Sequence, residues 1–218
     1  MSKLRVGALV SGRGSNLQAL LERSAEPDAR FAIVLVASNH ADAFALQRAR
    51  SFGVPAAVVE RKEYPTRAQQ QQAMVELLRQ QEVDLVVLAG FDRVVGTELL
   101  VAFPGRIVNI HPSLLPAFSG GLHAQAEALA YGVKVSGCTV HFVTETVDGG
   151  PIVLQTAVPV LENDTAASLA ERILAAEHQT LPRAVDLIAR GLVRVEGRRV
   201  FIDAACESKE MNSEVEQR

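Results

Sequence analysis

Residues 4–17, Leu4-Arg5-Val6-Gly7-Ala8-Leu9-Val10-Ser11-Gly12-Arg13-Gly14-Ser15-Asn16-Leu17, decide the fold. The run Leu4–Val10 is apolar almost throughout instead of alternating. That pattern predicts a strand covered on both faces, as in parallel sheets wrapped by helices. A glycine-rich turn follows, and Leu17, Leu20 and Leu21 then set a helical period. Strand, glycine turn and helix make the first unit of a wound α/β protein.

Further short apolar runs, Ile33 to Ala37, Ala56 to Val59, Leu85 to Ala89 and Ile107 to Ile110, read as strands separated by segments long enough for crossover helices. After Ile110 the rhythm changes. A Pro/Gly-rich loop, a short helix from about Ala124 to Ala130 and two strands, Lys134 to Val143 and Ile152 to Val158, predict a hairpin appended to the parallel sheet. Asp164 or Thr165 then caps a long helical pattern through Leu169, Ile173, Leu174, Leu181, Val185 and Ile188, in which Pro182 predicts a kink. The run Gln69 to Gln72 sits in a pattern with Met74, Leu77 and Leu78 inside and reads as a solvated helix face. The expected fold is α/β: a Rossmann-like wound, mostly parallel sheet with an appended C-terminal β-hairpin and a long closing helix, one domain over residues 1–204. Residues 205–218 lack apolar periodicity and are expected to form a disordered tail.

Composition narrows the function classes. Of 218 residues 48% are apolar and none is Trp, so the core is aliphatic. A formal charge of −3 gives no basic surface, which argues against a nucleic-acid or anionic-membrane partner. No segment approaches the roughly 20 unbroken apolar residues of a membrane span. Lys3 and Arg5 precede an apolar stretch too short for a signal peptide. Cys138 and Cys206 have neither metal-ligand spacing nor the number for a disulfide framework. Two inert thiols in a reducing cytoplasm are the simplest reading.

The chemistry-bearing residues cluster at strand ends. Ser11 to Asn16 link a strand to a helix start, where free N–H groups and the macrodipole favour an anion such as phosphate. A plain turn with Ser15 or Asn16 capping the helix stays open. The dinucleotide fingerprint fails at Leu17, and no Gly-Lys-Ser/Thr ending is present. Asn109 and His111 interrupt the fifth strand at its carboxyl end, on one face and roughly 7 Å apart. Polar groups there cost desolvation unless they are paired or used. An amide can donate to an oxygen gaining charge and an imidazole can move a proton, so the pair suits attack on a carbonyl. Ser113 reads as a turn residue. Asp148, in an Asp-Gly turn, either is ordinary hairpin chemistry or faces His111 and favours its protonated form. Glu177 follows Leu169 and Ile173 at four-residue steps, so it lies in the core row or at its edge.

SGRGSNLQAL near the start, NIHPSLLPAF in the middle and VHFVTETVDGGPIVLQ later together resemble the phosphoribosylglycinamide formyltransferases of purine synthesis, over nearly the whole globular chain. The resemblance implies formyl transfer from 10-formyltetrahydrofolate, a co-substrate, to the amine of glycinamide ribonucleotide, without metal or NAD, in a cytoplasmic monomer or homodimer. It implies catalytic roles for Asn109, His111 and Asp148. It places the ribonucleotide on Gly14, Ser15, Asn16 and Glu177. Folate falls to Arg67, Asp92, Arg93, Val94, Val95 and Asn109, with His141 in support. Arg67 as a plain solvated residue stays open. Where Asp92 stands the family often has an apolar residue, so only its backbone contact carries over. One glycine more than usual, at Gly120-Gly121, predicts a shifted loop. The rivals are a formyltetrahydrofolate hydrolase, against which SGRGSN and Glu177 argue, a methionyl-tRNA formyltransferase, for which the chain is short and acidic, a non-catalytic nucleotide or folate sensor, and a nicotinamide dehydrogenase.

Overall fold

The computed structural model describes residues 2–121 and 123–203. The order of elements is β1 (Leu4–Val10), α1 (Ser15–Ala25), β2 (Phe31–Ser38), α2 (Phe44–Ser51), β3 (Ala56–Val58), α3 (Arg67–Gln80), β4 (Leu85–Leu88), α4 (Thr97–Ala102), β5 (Ile107–His111), α5 (Ala124–Tyr131), β6 (Val135–Phe142), β7 (Ile152–Pro159), α6 (Ala166–Ala189), β8 (Val193–Glu196) and β9 (Arg199–Ile202). A 7-stranded sheet runs β3-β2-β1-β4-β5-β6-β7. β1 to β5 pair in parallel, whereas β6 is antiparallel to both β5 and β7. This is the wound, mostly parallel sheet with its appended hairpin that the sequence predicts.

Both faces of β1 are buried, which accounts for its unbroken apolar run. Val6, Ala8 and Val10 pack with Leu17, Leu20 and Leu21 of α1 and with Leu169, Ile173 and Leu181 of α6. Leu9 faces the other layer, where Met74, Val75 and Leu78 of α3 and Leu99 and Phe103 cover the sheet. Burying each such leucine contributes about 1.5–3 kcal/mol, so the helices are held by their apolar rows more than by propensity. Gly7 belongs to this packing, since a Cβ there would stand 2.5 Å from Leu78 Cδ2.

Local signals end the helices where expected in some places and not in others. Thr165 caps α6 through a reciprocal box with Ser168, and Asp164 braces the same turn by accepting from Arg172 at 2.7 and 2.9 Å. α6 continues through Pro182, which has no N–H to give to the ladder. The glutamine run departs from expectation. Gln70 and Gln71 are buried, not solvated, because each amide satisfies backbone that the helix covers: Gln70 donates to the Val59 carbonyl at 2.7 Å, and Gln71 donates to Val94 O and accepts from Gly96 N–H. Leu77, expected inside, is half-buried.

The closing helix is not the last element. β8 and β9 form a separate hairpin whose charged, half-exposed residues give no apolar contrast to read in the sequence. At its tip Arg198 donates to the Gly149 carbonyl at 2.7 Å. Residues 205–218, and Cys206 with them, lie outside the described residues. Cys138 is fully buried, and burial pushes its thiol up, as suits an inert core residue. Among the described residues no helix is long and apolar enough to cross a membrane.

Candidate active site

The sheet order reverses between β1 and β4, and the crevice beyond the carboxyl ends of strands at such a point is where ligands of wound sheets bind. Asn109 and His111 end β5 beside it. Residues 143–151 return over the crevice from β6 to β7 and bring Asp148 with them. Asp148 has a positive φ of 51°, and Gly150 passes so close to the end of β6 that any Cβ there would collide with the Phe142 carbonyl. The glycines of this turn therefore serve a close approach as well as a bend.

Asp148 Oδ2 lies 3.4 Å from His111 Nδ1, and Oδ1 lies 3.6 Å from His141 Nε2. Of the two readings of Asp148 from sequence, the geometry has the carboxylate facing His111. The Gly120 N–H donates to Asp148 Oδ2 at 2.8 Å, so the glycine-rich loop orients the carboxylate. His111 Nε2 donates to the Phe118 carbonyl at 2.9 Å. An imidazolium satisfies both acceptors at once.

His141 settles the orientation of Asn109. Its Nδ1–H points to the Phe142 carbonyl at 2.9 Å, which leaves Nε2 as an acceptor for the Asn109 amide at 3.2 Å. Burial pushes the His141 imidazole down, against the pull of the Phe142 carbonyl and Asp148, and so favours this neutral tautomer. One Nδ2 proton of Asn109 is thereby held by His141, and the second is left to donate into the cavity.

Asn109, His111, His141 and Asp148 line one cavity of about 260 Å³ together with Asp92, Arg93, Val94 and Val95. Ile110, Val143 and Val147 add apolar lining that sequence alone did not single out. Arg67 does not enter this space. It lies on an adjoining cavity of about 320 Å³ with Arg61 and Arg93, and its guanidinium donates to the Val94 carbonyl.

The glycine loop meets the crevice from the β1 side. Neither Ser15 nor Asn16 caps α1: Gly14 holds the cap position at φ 70° and ψ 35°, and no side chain closes the helix start. The N–H groups of this end therefore stay available to an anion. Gly14 packs too closely for any side chain, since a Cβ would stand 2.6 Å from Ala45 Cβ. Asn16 instead donates to Glu177 Oε2 at 2.7 Å, while its own Oδ1 is buried with no partner among the described residues. Glu177 is only 6% exposed; burial pushes its carboxyl up, and the Asn16 bond offsets this in part. Ser15 faces away, onto a cavity of about 710 Å³ between α1 and α6 that contains none of the strand-end residues.

The contacts that sequence reading missed come from backbone: the Phe118 carbonyl and the Gly120 N–H. The one local signal for them is the glycine pair Gly120-Gly121. No group of three or more His, Cys, Asp or Glu among the described residues is arranged to hold a metal.

Residues 4–185 match the formyl transferase family. The trifunctional purine biosynthetic protein adenosine-3 of Bos taurus is 46% identical over 88% of the chain, which spans only 19% of that protein's length. Phosphoribosylglycinamide formyltransferase of Bacillus subtilis (strain 168) is 42% identical over 85% of this chain and 93% of its own. The crystal structure of glycinamide ribonucleotide transformylase 1 from Symbiobacterium toebii superposes with a TM-score of 0.90 at 53% identity, covering 92% of this chain and 94% of that one.

Proposed function

Since this chain belongs to the formyl transferase family, we propose that it transfers the formyl group of 10-formyltetrahydrofolate to the amine of glycinamide ribonucleotide, a step of purine synthesis in the cytoplasm. The observation that carries the reading is the convergence of Asn109, His111 and Asp148 on one cavity at the carboxyl end of the sheet. The start of α1, just beyond the carboxyl end of β1, carries no side-chain cap.

The acceptor's phosphate sits at the start of α1, against Gly14, Ser15 and Asn16, where backbone N–H groups and the helix dipole compensate its charge. Its amine reaches toward Glu177 and Asn16. The unpartnered Asn16 Oδ1 supports this, because a buried acceptor without a donor costs about 1–3 kcal/mol until a substrate N–H satisfies it. The folate lies along Asp92–Val95, its ring against main-chain groups and apolar lining, and its acidic tail directed toward Arg67 and Arg93.

The amine lone pair forms the new N–C bond, and the carbonyl π pair moves onto oxygen. Asn109 donates a hydrogen bond to that oxygen through its free Nδ2–H, and His111 supplies or relays a proton to it, with Asp148 stabilising the imidazolium. When the intermediate collapses, its oxygen returns that proton to His111 as the carbonyl re-forms, the bond from the formyl carbon to the folate nitrogen breaks, and the proton lost by the attacking amine goes to that nitrogen through water. His141 orients Asn109 without touching the reacting atoms.

The test is to incubate the chain with 10-formyltetrahydrofolate, with and without glycinamide ribonucleotide, and to follow tetrahydrofolate and formylated product. Tetrahydrofolate should appear only when the acceptor is present. Equal turnover without acceptor would identify a hydrolase instead.

A further inference from the structure

At the reversal point of the sheet four polar side chains meet: Ser11 after β1, Asn39 and His40 after β2, and Asp92 after β4. The Asp92 Oδ1 accepts from Asn39 Nδ2 at 2.8 Å and from the Ser11 hydroxyl at 3.0 Å, while Oδ2 faces His40 Nε2 at 3.0 Å. The Ser11 hydroxyl also lies 2.6 Å from Asn39 Oδ1, and it accepts from the Asp92 N–H at 2.9 Å. Ser11 N–H adds a bond to the Gly90 carbonyl at 3.0 Å. Burial pushes the Asp92 carboxyl up, but donors from Asn39, His40 and Ser11, with Arg93 nearby, outweigh it and hold the group below the usual carboxylate range.

An apolar side chain at position 92 could accept none of the bonds from Asn39, His40 and the Ser11 hydroxyl, and would leave only the main-chain bonds of Asp92 N–H to Ser11 and of Ser11 N–H to Gly90. The Asp92 carboxylate therefore ties together loops that follow three different strands. Ser11 begins the glycine loop, and Asp92 belongs to the 90–95 segment that lines the catalytic cavity. Elsewhere the two segments are anchored separately. Ala45 N–H and Arg48 Nε hold Gly12 and Arg13 from α2, whereas Gln71 holds Val94 and Gly96 from α3.

We propose that Asp92 is a positioning residue that couples the acceptor and donor subsites: through Ser11 and Asn39 it makes the glycine loop and the 91–95 wall one mechanical unit. Ordering either segment with its own substrate then lowers the cost of ordering the other, so each substrate raises affinity for its partner. The inference rests on the assignment of acceptor to the glycine loop and folate to the 91–95 wall.

Calorimetric titration of the full chain with glycinamide ribonucleotide, alone and with saturating tetrahydrofolate, tests it without turnover because no formyl group is present. The wild-type chain should bind the ribonucleotide at least about 5-fold more tightly with folate present, the low end of ordinary coupling. Titration in the reverse order must return the same ratio. In Asp92→Ala and in Ser11→Ala the ratio should fall to within about 2-fold of unity, with thermal melting still cooperative. Should Asp92→Ala fail to melt cooperatively, Asp92→Asn replaces it. This variant loses the charge toward His40 and should show an intermediate ratio. A wild-type ratio of one, or an unchanged ratio in the variants, overturns the coupling alone. A wild-type chain that binds neither ligand overturns the assignment of function beneath it.

Discussion

Asp148→Asn isolates the charge opposite His111. The two groups stand 3.4 Å apart with side chains only 7% and 10% exposed, so solvent screens them weakly. At an effective dielectric of about 20 their attraction in the imidazolium form is roughly 5 kcal/mol. The substitution preserves shape and one acceptor for the Gly120 N–H, and part of the charge attraction is replaced by an amide dipole. A net loss of about 2–4 kcal/mol in transition-state stabilisation remains, which is about 30- to 1000-fold in rate. The assay is kcat with both substrates saturating, read by release of tetrahydrofolate, with circular dichroism and thermal melting to establish that the fold is kept. The KM for either substrate should move little, since Asp148 acts through His111. A kcat within about 3-fold of wild type in a folded variant would refute the electrostatic role.

Three further outcomes follow from the same geometry. Asn109→Ala removes the amide that donates into the cavity and should lower kcat by about 100- to 1000-fold, the usual loss for one oxyanion donor; single-turnover kinetics should locate the loss in the chemical step. Glu177→Gln should stabilise the protein at pH 7 by on the order of 1 kcal/mol while weakening acceptor binding, because a buried carboxylate is only partly offset by Asn16. Its folded pKa is raised, so stability is fully present below the unfolded value near about 4.3 and declines as pH rises from there through the folded value. The difference in Tm between variant and wild type should therefore vanish below about pH 4, and a difference independent of pH would exclude the ionisation as its cause. Gly14→Ala forces a side chain into left-handed backbone and against Ala45, costing about 1–3 kcal/mol. Its Tm should drop and its acceptor KM should rise, with folate binding retained.

Local pattern was enough for β1 to β7 and the long helix, because burial on both faces of β1 writes an apolar run and burial of one helix face writes a 3.6-residue period. The cap of α6 was legible to within one residue, Asp164 or Thr165, because capping is also local: Ser168, the partner of Thr165, is three residues away. The glutamines of α3 were not. Gln70 and Gln71 look like solvent residues until Val59, Val94 and Gly96 are brought over them. The β8–β9 hairpin escaped because it covers little and so shows no apolar contrast.

The site divides along the same line. By itself the sequence determined that Asn109 and His111 share a face at the carboxyl end of a buried strand, since alternation along a strand is a property of neighbouring residues. Only the tertiary structure decided what each polar atom meets. Asp148 faces His111 instead of merely turning a hairpin, His141 fixes the Asn109 amide from the adjacent strand, and Asn16 turns from capping α1 to hold Glu177. These contacts join residues 32, 37 and 161 positions apart in sequence, and neither propensity nor period carries information over such distances. Sheet order and close packing do, because they fix which strand ends become neighbours and leave each buried polar group few partners within reach.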